Sequence, residues 1–253
     1  METKIDEQEL YRSPQEDQIR TEFLQHFRNC PIPETDILQN LGLFLSSKNL
    51  ARILFMDHIY KQILDVHGVV IEFGTRWGQN TSLFSALRGI YEPFNRHRKI
   101  IGFDTFTGFV DISEKDNKDC WVMRKGGLAC SDHYEQYLEK VLEYQEKDNP
   151  IAHIKKFELI KGDATVEIDT YLKKHPETIV SLAFFDMDIY EPTKKCLESI
   201  KPHLVKGSIL AFDELNDSDS PGETIALNEV FGLNNIRLKK HPHTSRVSYF
   251  VVE

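Results

Sequence analysis

The stretch VVIEFGTRWGQNTSLFSAL, residues 69–87, decides the fold. Val69 to Phe73 form an apolar, largely β-branched run interrupted only by Glu72. Two glycines, Gly74 and Gly78, then precede an amphipathic stretch. A run this short reads as a buried strand, and the periodicity after it as a helix. Glycine at such a turn lets the backbone bend tightly and lets a ligand approach main-chain N–H groups with no Cβ in the way. The spacing is G-x-x-x-G rather than the G-x-G-x-x-G of the dinucleotide fingerprint, so the turn alone does not choose a ligand.

Outward from this unit the pattern repeats. KIIGFD (99–104) is the next strand, and FELIKGD (157–163) precedes the amphipathic ATVEIDTYLKKH. SLAFFD (181–186) leads to a helix from about Glu191 to His203, with Pro192 tolerated in its first turn. GSILAFD (207–213) leads to a helix from about Pro221 to Phe231, and NIRLKK and RVSYFVVE close the chain around a His-Pro-His-Thr-Ser turn. Strands alternating with helices imply an α/β, Rossmann-like fold: a seven-stranded, mostly parallel sheet with helices on both faces and an antiparallel C-terminal hairpin. Upstream, Leu50, Ile53, Leu54, Ile59 and Ile63 recur at helical spacing, so residues from about Asp17 to Leu64 read as two or three helices. The expected organisation is a helical extension over 1–64 and one domain over 65–253. An excursion at about 110–150 holds Trp121, Gly126, Gly127 and a polar helix near Ser131 to Glu146. Both a lid and a peripheral decoration fit it.

Composition bounds the function. With 40% hydrophobic residues in a chain of 253 there is material for a packed core. A formal net charge of −9 argues against a phosphate-backbone binder, and Arg96, Arg98 and Lys99 read as a solvated face, so no nucleic-acid partner is expected. The four cysteines, Cys30, Cys120, Cys130 and Cys196, have neither CxxC nor zinc-site spacing. The opening METKIDEQELYRSPQEDQIR lacks the apolar core of a signal peptide, and no run of apolar residues is long enough for a bilayer. The expectation is a cytoplasmic protein with free thiols and no membrane association.

In open α/β sheets ligands bind outside the carboxyl ends of the strands. Here those ends carry Glu72, Asp104, Asp163, Asp186 with Asp188, and Asp213 with Glu214. One acid would be read as a helix cap; one on every parallel strand points to a site. Asp104, ending the strand beside Glu72, is placed to accept hydrogen bonds from both hydroxyls of a ribose.

Together VVIEFGTRWGQN, IGFDTFTGF and FFDMDIYEPTKKCLESIKPHLVKGSILAFDE resemble the class I S-adenosylmethionine-dependent methyltransferases, and within them the macrocin O-methyltransferase (TylF-like) group, which methylates sugar hydroxyls. The resemblance spans about Gly68 to Glu214 and the closing hairpin. It implies that Glu72, Gly74, Thr75 and Gly78 hold the methionine part of S-adenosylmethionine. Asp104, Thr105 and Phe106 would grip the ribose and line the adenine pocket, with Asp163 and Ala164 on the adenine side. Asp186, Asp213 and Glu214 would hold Mg²⁺, Asp186 also bordering the cofactor. At Glu214 the family more often has Asp; Glu still offers oxygen, on a longer arm. The resemblance further implies a small-molecule or glycan sugar acceptor and a homo-oligomer.

A sugar hydroxyl is a poor nucleophile, and a bound cation lowers the pKa of a coordinated oxygen. Asp186 is the first candidate for orienting and deprotonating the hydroxyl, and Asp188 the second. Asp188 and Glu191 also suit capping of the next helix. Asp217 and Asp219 read as a solvated turn, and His133, His241 and His243 as surface residues. Tyr190 suits either closure over the cofactor or packing. Two rivals share the alternation. A nicotinamide-dependent oxidoreductase would need G-x-G-x-x-G, and a non-catalytic cofactor-binding homologue would not need the three metal acids.

Overall fold

The computed structural model describes residues 13–253. It divides into two compact units, one ending at Ala51 and one running from Arg52 to Glu253. In the first, helix α1 (Pro14–Arg28) is started by a capping box. Ser13 Oγ accepts from the Glu16 N–H at 3.3 Å, and the Glu16 carboxylate accepts from the Ser13 N–H at 2.8 Å. A short α2 (Glu34–Ile37) runs into a 3₁₀ turn, Leu38–Phe44, whose Phe44 meets Phe27 edge-on at 4.8 Å.

Helix α3 (Ser47–Lys61) leads into the second unit. The helical spacing read from the sequence is correct, but its face is only half right. Leu50 and Leu54 are exposed, whereas Phe55, Met56, Ile59, Tyr60 and Ile63 form the buried stripe. Periodicity identifies a helix more readily than it identifies which of two apolar stripes meets the sheet.

Then follow β1 (Val69–Phe73), α4 (Gln79–Tyr91), β2 (Ile100–Asp104), α5 (Tyr134–Lys147), β3 (Phe157–Lys161), α6 (Ala164–Lys174), β4 (Val180–Phe185), α7 (Tyr190–Ile200), β5 (Leu204–Phe212), α8 (Pro221–Phe231), β6 (Lys239–Lys240) and β7 (Ser248–Val251). The sheet order is β3-β2-β1-β4-β5-β7-β6. The expected seven strands are present, and β7 lies between β5 and β6, antiparallel to both. Of NIRLKK only two residues pair. The chain winds outward from β1 through β2 to β3, then returns to β4 and β5 on the other side. That reversal opens a crevice at the carboxyl ends of β1 and β4.

Alternation along each strand sorts the core into two layers. Val69, Ile71 and Phe73 pack with α6, α7 and α8, while Val70 joins Phe55, Met56, Ile59 and Phe84 from α3 and α4. On the first face a row of phenylalanines crosses the strands: Phe103, Phe73, Phe185 and Phe212, with neighbouring centroids 5.0–5.2 Å apart. This wall lies one residue below Asp104, Gly74, Asp186 and Asp213, so the polar edge stands on an incompressible apolar floor. Period two also puts Glu72 on the opposite face from Phe73, under α4.

The excursion is anchored to this frame. Leu138 and Leu142 of α5 are buried with Phe106 and Phe157, and Glu146 pairs with Arg88 at 3.0 Å and with Lys156, all three buried. Farther back, Lys115 Nζ donates to Tyr190 Oη at 2.7 Å and Glu229 Oε1 at 2.6 Å, and Asn117 donates to the Ser218 carbonyl at 3.2 Å. The four cysteines are free. No helix among the described residues is long and apolar enough to cross a membrane.

Candidate active site

The two glycines after β1 answer to the chain itself. Gly74 has φ +88°, and a Cβ there would lie 1.8 Å from the carbonyl oxygen of Asp186. Gly78, left-handed at φ +76° just before α4, would drive a Cβ to 2.3 Å from Leu138 Cδ1. They let β1 approach the loop after β4, and α4 approach α5. Non-glycine residues close to the strand ends are also held at positive φ in the loops after β1, β2, β4 and β5, among them Arg76 (46°), Phe106 (58°), Asp188 (60°) and Asn216 (64°). Such strain persists only where surrounding structure over-determines it, and it gathers at functional edges.

On the β1–β3 side each acid has its own donors. Asp104 accepts from the Arg76 N–H at 2.7 Å and the Phe106 N–H at 2.5 Å, so its carboxylate ties the β1 and β2 loops together. Burial raises its pKa against the pull of those two bonds. Glu72 is fully buried and accepts from Asn80 Nδ2 at 2.8 Å and from the Thr81 hydroxyl. Burial pushes its pKa up to about 7 even so. Asp163 caps α6, accepting from the Thr165 N–H at 2.9 Å and the Thr165 hydroxyl at 2.7 Å, and Ala164 is buried in that helix's first turn. Thr105 Oγ1 donates to the Gly108 carbonyl, and the Phe106 ring packs against α5. The buried Thr75 hydroxyl has no partner in the protein. The groups suit a ribose-bearing ligand: a fixed carboxylate with lone pairs to spare, an orphaned hydroxyl and a helix N-terminus.

The β4–β5 side differs. Asp186 and Asp213 are bridged by Arg52 of α3, whose Nη2 lies 2.7 Å from Asp186 Oδ2 and whose Nη1 lies 2.8 Å from Asp213 Oδ1. Arg52 Nε donates to Asn80 Oδ1 at 2.9 Å, and Asn80 Nδ2 lies 3.3 Å from Asp186 Oδ2. Burial alone would lower the Arg52 pKa, but Asp213, Asp186 and Glu72 together raise it. Glu214 is turned to Arg246, and the Asp188 carboxylate is its nearest like-charged neighbour. Glu223 of α8 accepts from the Met187 N–H at 3.2 Å. Burial, then like charge, raises the whole group: Asp186 against Asp213, Glu214 against Asp188, and Glu223 against Glu214. Asp188 is pushed up to about 7, first by burial and then by Asp186, Glu223 and Asp213.

Among the described residues no three His, Cys, Asp or Glu side chains converge as a metal cluster. The donor chemistry nevertheless fits a hard cation. Asp186 and Asp213 pair with Arg52 and Glu214 with Arg246, while Asp188 and Glu223 add like charge beside them; Glu214 Oε2 and Glu223 Oε2 are buried with no partner.

Sequence reasoning found the acids but not Arg52, Asn80, Arg246 or Glu223. A signal for Arg52 existed: 52, 56, 59 and 63 follow helical spacing, which places an arginine on the buried stripe of α3. His133 and His243 are exposed as expected, but His241 is buried, its ring 5.7 Å from Phe55 and 5.0 Å from His58. Its turn folds back onto α3, and that burial lowers its pKa. Tyr190 packs: its hydroxyl donates to Glu229 Oε2 at 2.7 Å. Glu191 is exposed and, with Asp111, Asp116 and Ile189, borders a hollow of about 240 Å³ beside the excursion.

Three solved structures place this geometry among known proteins. The chain is similar to the crystal structure of CalS11, named calicheamicin methyltransferase, at 41% identity and a TM-score of 0.92, over 94% of this chain and 93% of that one. It is similar to an apo structure of CalS11, named TDP-rhamnose 3'-O-methyltransferase, at 39% identity and a TM-score of 0.83, over 94% and 95%. The O-methyltransferase NovP, at 16% identity with a TM-score of 0.59 over 80% and 79%, shares the fold. No family model and no curated protein matches the sequence.

Proposed function

The chain belongs to the class I S-adenosylmethionine-dependent O-methyltransferases, and from that membership we propose that it methylates a hydroxyl of a sugar, with nucleotide-linked sugars the first acceptors to test. The class read from the motifs is thereby borne out. The macrocin group within it, Mg²⁺ and a homo-oligomer rest on the motif resemblance. One observation carries the acceptor: likeness at 39% identity, over 95% of its length, to a protein named as a TDP-rhamnose 3'-O-methyltransferase.

When bound, S-adenosylmethionine supplies an electrophilic sulfonium methyl, so the protein has to align an in-line attack and remove one proton. We assign cofactor binding to the loops carrying Glu72, Gly74, Thr75, Gly78, Asp104, Thr105 and Phe106, with Asp163 and Ala164 at the adenine side. Asp104 keeps a lone pair on each oxygen for the two ribose hydroxyls, because each of its backbone partners takes only one. Glu72 acts one step back: it holds Asn80, which reaches Asp186.

At the acceptor, Asp186 orients the hydroxyl and Asp188 takes the proton. Asp186 is already held by Arg52 and Asn80, which suits it to positioning. Burial and the neighbouring acids raise the Asp188 pKa, and a raised carboxyl is a stronger base than an ordinary carboxylate. Held by Asp186, Asp213 and Glu214, Mg²⁺ would add positive charge that lowers the pKa of the hydroxyl.

The test is methyl transfer from labelled S-adenosylmethionine to a panel of nucleotide sugars, free glycans, glycosylated natural products and catechols, with Mg²⁺ or with a chelator. Labelled sugar, formed faster with Mg²⁺, is the expected result. Preferential labelling of catechol would overturn the acceptor, and an unchanged rate in chelator would overturn the metal.

A further inference from the structure

The acid centre carries a cation of its own. Arg52 uses its guanidinium fork fully: one end on Asp186, the other on Asp213, and Nε on Asn80. The two carboxylates lie at the ends of adjacent strands, and the planar fork spans them as a single point charge could not. The side chain rises from the buried stripe of α3 and lies 5.7 Å from the centroid of Phe184, so it is held from beneath as well as from the side. The Asn80 amide is itself oriented by Glu72, which fixes the direction from which Arg52 is gripped.

We propose that Arg52 is the resident counter-ion of Asp186 and Asp213 and alternates there with a divalent cation, so that metal entry requires Arg52 to release both carboxylates. The proposal rests on the reading of Asp186, Asp213 and Glu214 as metal ligands. Two observations favour alternation over joint residence. First, Arg52 already occupies an oxygen of each Asp, and a small divalent ion at inner-sphere distance from the same carboxylates would sit within a few ångströms of a guanidinium of like charge. Second, Arg52 leaves the centre under-compensated: Glu214 Oε2 and Glu223 Oε2 are buried without partners while the fork is in place. A cation that drew in Glu214 would satisfy what Arg52 does not reach. The link through Asn80 to Glu72 joins this exchange to the first turn of α4, on the cofactor side.

Calorimetric titration of Mg²⁺ into the 253-residue chain, wild type against Arg52→Gln and Arg52→Lys, decides it, with melting temperatures in Mg²⁺ and in chelator as a second reading. Arg52→Gln should bind Mg²⁺ on the order of tenfold more tightly than wild type, because no resident charge is displaced. Its melting temperature should fall in chelator and recover with Mg²⁺. Arg52→Lys, which keeps the charge but cannot span both carboxylates, should lie between. Equal or weaker Mg²⁺ binding in Arg52→Gln overturns alternation and makes Arg52 an organiser of the ligands. If Arg52→Gln does not fold, Arg52→Lys decides by the same comparison. If no chain binds Mg²⁺ while all bind S-adenosylhomocysteine, the metal reading falls and alternation falls with it, leaving the methyltransferase intact.

Discussion

The two halves of the carboxyl edge carry acids in similar positions and treat them in opposite ways. On the β1–β3 side the chain answers each acid with donors of its own: two backbone N–H groups for Asp104, Asn80 and Thr81 for Glu72, the Thr165 N–H and hydroxyl for Asp163. On the β4–β5 side five acids share Arg52, Arg246, the Asn80 amide and the Met187 N–H, and two carboxylate oxygens stay buried without a partner. An acid at a strand end therefore says little by its presence. A carboxylate the chain satisfies builds a frame, and a carboxylate it leaves wanting is available to a cation, an acceptor or a proton.

The comparison breaks most sharply at Asp188. Asp188→Asn should lower kcat by roughly 10²–10⁴-fold, the usual worth of a positioned general base, and leave S-adenosylhomocysteine affinity unchanged by calorimetry. A kcat within threefold of wild type would remove the proton role. Next is Glu72, whose carboxyl is raised to about 7 from an ordinary 4.5. Below pH 4.5 it is protonated in both folded and unfolded chains and contributes nothing. Between 4.5 and 7 only the unfolded chain ionises, so stability falls as pH rises; above 7 the full cost, roughly 3 kcal/mol, is present. Glu72→Gln should flatten that slope in urea unfolding and be the more stable chain at pH 8. A parallel pH dependence in the two proteins would show that Glu72 ionises freely when folded.

These contrasts were only half legible in the sequence. The strand–helix alternation, the helix Pro221–Phe231 and the acids at the strand ends could be read because each depends on neighbours a few residues apart. The distribution of donors could not. Arg52 meets Asp186 and Asp213 across 134 and 161 positions, at the tip of a long side chain on a helix whose buried face periodicity left ambiguous. Glu223 sits in the first turn of a largely apolar helix with little contrast between its faces, and is fully buried because α8 packs over the loop after β4. The glycines show the same limit. Gly74 and Gly78 were legible as a turn, but what forbids a side chain there is the Asp186 carbonyl in one case and Leu138 in the other.

On the satisfied side the effects should be smaller and should separate frame from ligand contact. Asp104→Ala removes a carboxylate that both ties two loops and faces the ribose. Loss of charged hydrogen bonds worth about 2 kcal/mol should weaken S-adenosylhomocysteine roughly 10–100-fold. Asp163→Ala should do less. Its carboxylate is engaged by Thr165 at the start of α6, so the expected loss is about 1 kcal/mol of unfolding free energy, the worth of a helix cap. Asp163→Ser, which restores a capping oxygen on a shorter arm, should recover most of that stability. The decisive quantity is the cofactor affinity of Asp163→Ser. If it is wild type, the acid serves the helix, and the adenine is held by the loop around it. If it falls as far as in Asp104→Ala while stability is restored, Asp163 contacts the cofactor directly, and the division of the edge into a satisfied frame and a wanting centre has to be redrawn at β3.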